Sequence, residues 1–179
     1  MDEWDINYEQ RMVLRLSELA DAVVDEDKRD MQAKSPSEFV CRVFENYYET
    51  AGASVGRTLV RQKEALEELL GRSDDVVDVL LRRVRQELME KHGHYEKSDA
   101  KLPIRLQNNT CKKLKSCKGL EGEYYSRPSL YVKAVVEDYC RLMPTQRERI
   151  YWKDRFAVIE TAIRQRQSVH GSPLQAADR

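Results

Sequence analysis

Residues 35–47 of this sequence are Ser35-Pro36-Ser37-Glu38-Phe39-Val40-Cys41-Arg42-Val43-Phe44-Glu45-Asn46-Tyr47, and residues 127–139 are Arg127-Pro128-Ser129-Leu130-Tyr131-Val132-Lys133-Ala134-Val135-Val136-Glu137-Asp138-Tyr139. The two segments share Pro, Ser, Val, Val, Glu and Tyr at matching positions. Each begins with a proline suited to the first turn of a helix, where its missing N–H would have no partner anyway. Each then places apolar residues at helical spacing. The pattern predicts two copies of one amphipathic helix and therefore an internal duplication.

The segments that precede these two helices also match. Met12-Val13-Leu14-Arg15-Leu16 corresponds to Leu102-Pro103-Ile104-Arg105-Leu106. The alternating pattern is typical of a strand, although Met12, Leu16 and Ala20 would also fit one face of a helix. Pro103 would break the interior of a helix but is tolerated in a short edge strand, so we favour strands. We predict that Met12–Ser17 and Leu102–Gln107 pair as antiparallel strands within one chain.

The duplication divides the chain into five predicted segments. Each repeat ends with a further amphipathic helix, and a bracing helix with a polar linker separates the repeats. In that linker, His92-Gly93-His94 is interpreted as a solvated turn rather than a metal-binding pair. The segments are an N-terminal arm (1–9), the first repeat with its extra helix (10–71), the brace and linker (72–100), the second repeat with its extra helix (101–167) and a disordered tail (168–179).

Positive and negative charges balance in number but not in position. The 179 residues include 31 Lys and Arg and 31 Asp and Glu, which gives a net charge of zero. From Lys101 to Lys118 there are six basic residues and no acid, whereas Glu18 to Asp30 contains six acids and two basic residues. The net charge of zero argues against a strongly basic nucleic-acid binder. The positions of the charged residues make the second repeat the basic one.

Several function classes are not expected from this sequence. We see no secretory signal, so we expect a cytoplasmic protein in which Cys41, Cys111, Cys117 and Cys140 are free thiols. Cys111 and Cys117 lack the spacing of a zinc pair, and no apolar run approaches the ~20 residues that span a bilayer. We therefore expect no metal, no cofactor and no membrane contact. We do not expect an enzyme, because there is no glycine-rich phosphate loop, Cys–His pair or apolar carboxylate pair.

A short alternating strand, a helix, a tight turn with Ser or Pro-Ser and a second amphipathic helix together resemble the ribbon-helix-helix fold of bacterial transcription regulators. The resemblance covers Arg11 to Tyr47 and, more weakly, Lys101 to Tyr139. It implies a mainly α fold in which two ribbon-helix-helix repeats form an intramolecular pseudodimer with one antiparallel ribbon and accessory helices. The segment 128–139, together with residues 147–151, is also similar to the region that precedes the WYL domain in some bacterial proteins, including CRISPR-associated accessory ones.

The resemblance also implies which residues would bind nucleic acid. In ribbon-helix-helix proteins the outward side chains of the strands enter the DNA major groove, and the first turn of each second helix meets a phosphate. The implied base-facing residues are Arg11, Val13, Arg15, Ser17, Lys101, Pro103, Arg105 and Gln107. The implied phosphate-facing residues are Ser35, Ser37, Arg127 and Ser129, and Lys112, Lys113 and Lys115 follow on a segment that could lie against the adjacent backbone.

Two functions remain open at this point. The first is a DNA-binding transcriptional regulator that reads the major groove. The alternative is a CRISPR-related accessory module that associates with a protein or with RNA and keeps the fold without reading a duplex; the zero net charge and the acid-rich first repeat support it. A homodimer is a further expectation, because the segments after each repeat carry surplus apolar residues. These are Leu59, Val60, Leu66, Leu69, Leu70, Ile150, Tyr151, Trp152, Phe156, Ile159 and Ile163.

Overall fold

The computed structural model describes residues 4, 6, 10–71, 75–93 and 100–170. This part of the chain contains two strands and eight helices. In chain order they are β1 (Arg11–Leu14), α1 (Glu18–Asp30), α2 (Pro36–Tyr47), α3 (Val55–Leu70), α4 (Asp75–Gly93), β2 (Leu102–Arg105), α5 (Asn108–Glu121), α6 (Pro128–Cys140), α7 (Pro144–Tyr151) and α8 (Lys153–His170). None of the helices in these ranges is long and apolar enough to cross a lipid bilayer.

The predicted pairing of the two strands is confirmed. β1 and β2 are antiparallel, with Arg11 opposite Arg105 and Val13 opposite Pro103. Both strands are shorter than predicted because each gives way to a helix: Ser17 is the N-cap of α1, and Gln107 is the N-cap of α5. The side chains of Met12, Leu14 and Ile104 are buried beneath the ribbon. Since side chains alternate between the two faces of a strand, this burial fixes which residues point outward.

The predicted fold of tandem ribbon-helix-helix repeats is wrong, although the mainly α class is correct. Only two four-residue strands accompany the eight helices of the described chain. The further helices at the ends of the predicted repeats are part of the core packing rather than accessories, since α3 packs on α5 and α7 packs on α2. The two halves are also unequal. Ser35 caps α2 with its hydroxyl, which accepts a hydrogen bond from the Glu38 amide, whereas Arg127 provides α6 with no side-chain cap.

Helices α2 and α6 pack against each other at the centre of one continuous core. The Phe39 ring stacks on Tyr151, with ring centroids 5.4 Å apart, and meets Tyr139 edge-on at 6.0 Å. Aromatic pairs of this kind stabilise a core by about 0.5–1.5 kcal/mol beyond the area that they bury. Because Tyr151 belongs to α7, this helix is part of the core and its aromatic residue is not available to a dimer interface.

Buried carboxylates on α6 connect it to the first half of the chain. The two carboxylate oxygens of Glu137 accept hydrogen bonds from the Ser17 amide and hydroxyl, at 2.6 and 2.7 Å. Asp138 accepts hydrogen bonds from the Tyr47 hydroxyl at 3.0 Å and the Gly52 amide at 2.8 Å. Hydrogen bonding compensates the cost of burying these acids and fixes how α6 lies against its neighbours.

Three predictions about the ends and the linker meet the structure only in part. Of the predicted arm 1–9 the structure describes Trp4 and Ile6, whose side chains are buried, and Trp4 donates a hydrogen bond to the Tyr125 carbonyl. His92, which we interpreted as part of a solvated turn, is helical and buried at the end of α4, while His94 lies outside the described residues. The predicted tail lies outside them from residue 171 onward.

Candidate nucleic-acid interface

The outer surface of the ribbon is basic. Its seven outward positions are all described and all exposed, and they include four cations and no acid. The guanidinium groups of Arg11 and Arg105 are carried by directly paired residues. Like charges on directly opposite positions of a ribbon repel each other. We call this surface the ribbon face; it consists of Arg11, Val13, Arg15, Lys101, Pro103, Arg105 and Gln107.

The centre of the ribbon face is apolar. Val13 is 52% exposed and lies opposite Pro103 in the paired strands. Neither side chain can donate or accept a hydrogen bond. The cations therefore surround a small apolar centre, which is an arrangement that can hold a phosphate backbone but cannot distinguish base pairs at its middle position.

The amino-terminal ends of α2 and α6 lie at opposite edges of the ribbon. At one edge the Ser37 hydroxyl accepts a hydrogen bond from the Arg105 amide at 3.0 Å, which ties α2 to β2. At the other edge, a cavity of about 280 Å³ separates β1 from the start of α6, and Arg11, Arg127 and Ser129 line it. Helix amino termini carry partial positive charge, so both edges add to the potential of the ribbon face.

Besides Ser37, the structure uses two more of the predicted serines for its own hydrogen bonds. Ser35 caps α2, so its hydroxyl already accepts one hydrogen bond. Ser17 points away from the ribbon face, because its amide and hydroxyl both donate to Glu137. Its hydroxyl also accepts from the Ala20 amide, which caps α1. Ser17 is therefore a structural residue, and the prediction that it faces bases is wrong.

The three predicted lysines of α5 have different environments. Lys112 and Lys115 are exposed, whereas Lys113 is half-buried and donates a hydrogen bond to the Glu45 carbonyl at 3.2 Å. Sequence reasoning missed Lys118, which is also exposed. The spacing of three residues could have indicated it, because positions three apart lie on one side of a helix. We call Lys112, Lys115 and Lys118 the lysine stripe.

The corresponding helix of the first half has the opposite charge. α1 exposes Glu18, Asp25, Glu26 and Asp30. Of its two cations, Lys28 pairs with Asp25 at 3.1 Å, and Arg29 is exposed in the last turn. The lysine stripe and this acidic surface follow the two strands of the same ribbon. A polyanion that binds the ribbon face would therefore be attracted toward α5 and repelled by α1.

The described residues contain no group of three or more His, Cys, Asp or Glu side chains placed to hold a metal ion. The four cysteines are free thiols, which the sequence predicted, and all four are buried. Burial raises the pKa of the Cys41, Cys117 and Cys140 thiols, so these groups are protonated at neutral pH.

No family model matches the chain, and no curated protein matches it. The fold is similar to a crystal structure described as that of a CRISPR Cas-related protein, with a TM-score of 0.70 and 20% sequence identity. The match covers 92% of this chain and 47% of the other, so this chain spans about half the length of that protein. At this identity the similarity concerns the fold alone, and it gives no support to a ribbon-helix-helix or WYL relationship.

Proposed function

We propose that this chain is a CRISPR-related accessory module that binds single-stranded RNA through the ribbon face. The observation that carries this proposal is the composition of the face, in which four exposed cations surround the apolar pair Val13 and Pro103. The fold similarity to a CRISPR Cas-related protein supports the cellular context.

The apolar centre favours a single strand over a duplex. Reading the major groove requires donors or acceptors aimed at base edges, and Val13 and Pro103 supply neither. Single-stranded RNA presents unstacked bases, which guanidinium planes such as those of Arg11, Arg15 and Arg105 can stack on while also contacting phosphates. This mode of binding depends weakly on sequence and strongly on salt.

Fluorescence anisotropy with labelled RNA tests the proposal. We expect the protein to bind a single-stranded RNA of mixed sequence more tightly than a DNA duplex of equal length. Replacing Arg11 and Arg105 together by Ala should weaken RNA binding at least tenfold. Arg83→Ala is the matched control, because Arg83 is exposed on α4 and pairs with Glu87 at 3.2 Å. Tighter binding of the duplex, or equal effects of the double variant and the control, would contradict the proposal.

A second candidate function, a protein-interaction module, is favoured by the surface of α8. Phe156, Val158, Ile159 and Ile163 are 40–70% exposed on this helix, which packs on α7. An apolar surface of this kind on one helix is typical of contact with another protein. This candidate is compatible with the first, because α8 and the ribbon face use different residues.

A further inference from the structure

A cavity of about 520 Å³ lies between α3, α4 and the end of α5. Half-buried apolar side chains from all three regions line it, namely Leu59, Leu81, Leu120 and Tyr124. Its volume falls within the range of pockets that bind small molecules. The cavity shares no lining residue with the ribbon face, so its occupant would bind independently of nucleic acid.

Two glycines lie at the wall of the cavity, and their surroundings differ. At Gly56, α3 touches α5, since a Cβ added there would lie 2.0 Å from the Leu120 carbonyl oxygen. At Gly119, in contrast, an added Cβ would meet nothing within 4 Å. Gly119 lies in the last turn of α5, where glycine has a lower helix propensity than alanine and packing does not require it. The missing side chain of Gly119 keeps this wall of the cavity open.

Charged groups surround the apolar lining. Lys63, Arg82 and Arg85 line the cavity together with the acids Asp78 and Glu123, and Lys63 pairs with Glu67 at 3.7 Å, which leaves the two arginines as the cations placed to meet a ligand. The Arg85 guanidinium lies over the Tyr124 ring, 5.1 Å from its centroid. A guanidinium stacked on a phenol offers a flat surface beside positive charge, which suits a flat ligand that carries an anionic group.

We infer that this cavity binds a small aromatic anion, with its flat apolar body against Leu59, Leu81 and Leu120 and its anionic group toward Arg82 and Arg85. The apolar lining supplies the driving force for the body of the ligand. The arginines supply orientation, because guanidinium groups bind carboxylate, sulfonate or phosphate oxygens with paired N–H donors.

Anilinonaphthalene sulfonate is a suitable probe, since it joins a flat apolar body to one anionic group and fluoresces in apolar sites. We expect saturable binding to the wild-type protein and unchanged binding to Lys112→Trp, the matched control, because Lys112 is exposed on α5 and does not line the cavity. Gly119→Trp should weaken binding at least tenfold, because the indole would occupy the cavity. Replacing Arg82 and Arg85 by Gln should weaken binding of the sulfonate but not of neutral anilinonaphthalene.

Methyl NMR of the wild-type protein decides the location even if a variant fails to fold. The probe should shift the methyl signals of Leu59, Leu81 and Leu120. Shifts confined to Ile159 and Ile163 would place the probe on α8 and overturn the inference. Retained binding in a folded Gly119→Trp protein would also overturn it.

Discussion

Arg147 and Asp27 form a buried, bidentate ion pair, although 120 residues separate them in the chain. Arg147 donates from Nε to Asp27 Oδ2 at 2.7 Å and from Nη2 to Asp27 Oδ1 at 3.0 Å. Both residues are buried, at 7% and 5% exposure. The Tyr139 hydroxyl donates to the same carboxylate at 3.1 Å, so the charge is satisfied from α6 as well as from α7. This cluster fixes α1 against the second half of the molecule.

Removal of one partner of this pair should be strongly destabilising. We expect Asp27→Ala to lower the free energy of unfolding by about 3–5 kcal/mol, because it leaves the Arg147 charge buried without its partner. Asp25→Ala is the control, since Asp25 pairs with Lys28 on the surface. Its cost should stay below about 1 kcal/mol. Urea denaturation measures both, and similar small changes in the two variants would show that the pair is not needed.

Glu121 makes the stability of the protein depend on pH. Its carboxylate accepts hydrogen bonds from the Gly56 and Arg57 amides, both at 3.2 Å, and burial raises its pKa above the ordinary value of 4.5. The folded state therefore holds this proton more tightly than the unfolded state. The stability that protonation provides is fully present below about pH 4.5 and is lost as the pH rises through the folded pKa.

Glu121→Gln should remove this part of the pH dependence. We expect the free energy of unfolding of the variant, minus that of the wild type, to increase as the pH rises from about 4 to 7. Glu123→Gln, at an exposed position two residues further on, is the control that removes a carboxylate from the surface of the same region. Parallel profiles for the wild type and Glu121→Gln would mean that Glu121 does not titrate between these limits.

Gly56 and Gly119 should respond to alanine in opposite directions. Gly56→Ala places a methyl group against the Leu120 carbonyl, so the helices must separate, and we expect a loss of about 1–3 kcal/mol. Gly119→Ala meets no neighbour and improves helix propensity, so we expect a gain of about 0.5–1 kcal/mol. Thermal unfolding monitored by circular dichroism compares the two. A change of the same sign in both would contradict the close contact of α3 and α5.

The apolar surface of α8 should mediate a homodimer. We expect light scattering of the wild type to give twice the chain mass of 21.0 kDa, and Phe156→Glu with Ile163→Glu to give the monomer mass. Leu130→Glu, at an apolar position that is 45% exposed on α6, is the control and should remain a dimer. A wild-type protein that stays monomeric at high concentration would remove this prediction.

Local alternation predicted that the segments around Arg15 and Arg105 form strands, and the exposure of both arginines agrees with the predicted outward orientation. The antiparallel pairing of these distant strands was predicted from the duplication, because two matching segments in one chain can supply each other's partner. The family-level fold could not be predicted, because the packing of α3 on α5 and α7 on α2 depends on contacts between distant segments. The prediction for Ser17 was wrong for the same reason, because its hydrogen-bond partner Glu137 lies 120 residues away in the chain. No periodicity in the sequence indicates such a pair.

The environment of Lys113 also lay beyond the sequence pattern. It stands between Lys112 and Lys115 in a basic run, and only the structure shows that it turns inward to the Glu45 carbonyl and lies 5.9 Å from the Tyr48 ring. A test of the lysine stripe must therefore leave Lys113 unchanged, because its replacement would disturb packing as well as charge.

RNA binding should be asymmetric between the two halves of the ribbon. Replacing Lys112 and Lys115 by Gln should weaken binding of all RNA sequences alike. The slope of the logarithm of the binding constant against the logarithm of the salt concentration should become less steep by up to about 1.4, since each phosphate contact to a single strand contributes about 0.7 to this slope. Arg15→Gln should have a smaller effect than Arg105→Gln, because the exposed acids Glu18 and Asp25 of α1 follow Arg15 and repel the backbone. Anisotropy titrations at several salt concentrations measure both comparisons.

A further variant distinguishes this explanation from a simple difference between the two arginines. Replacing Glu18 and Asp25 by Gln removes repulsion without touching the ribbon face, so RNA affinity should rise and the loss caused by Arg15→Gln should approach that caused by Arg105→Gln. If affinity stays the same in the acid variant while the two arginines remain unequal, repulsion from α1 is not the cause. If the two arginines are equal in the wild type, RNA does not favour the α5 side of the ribbon face.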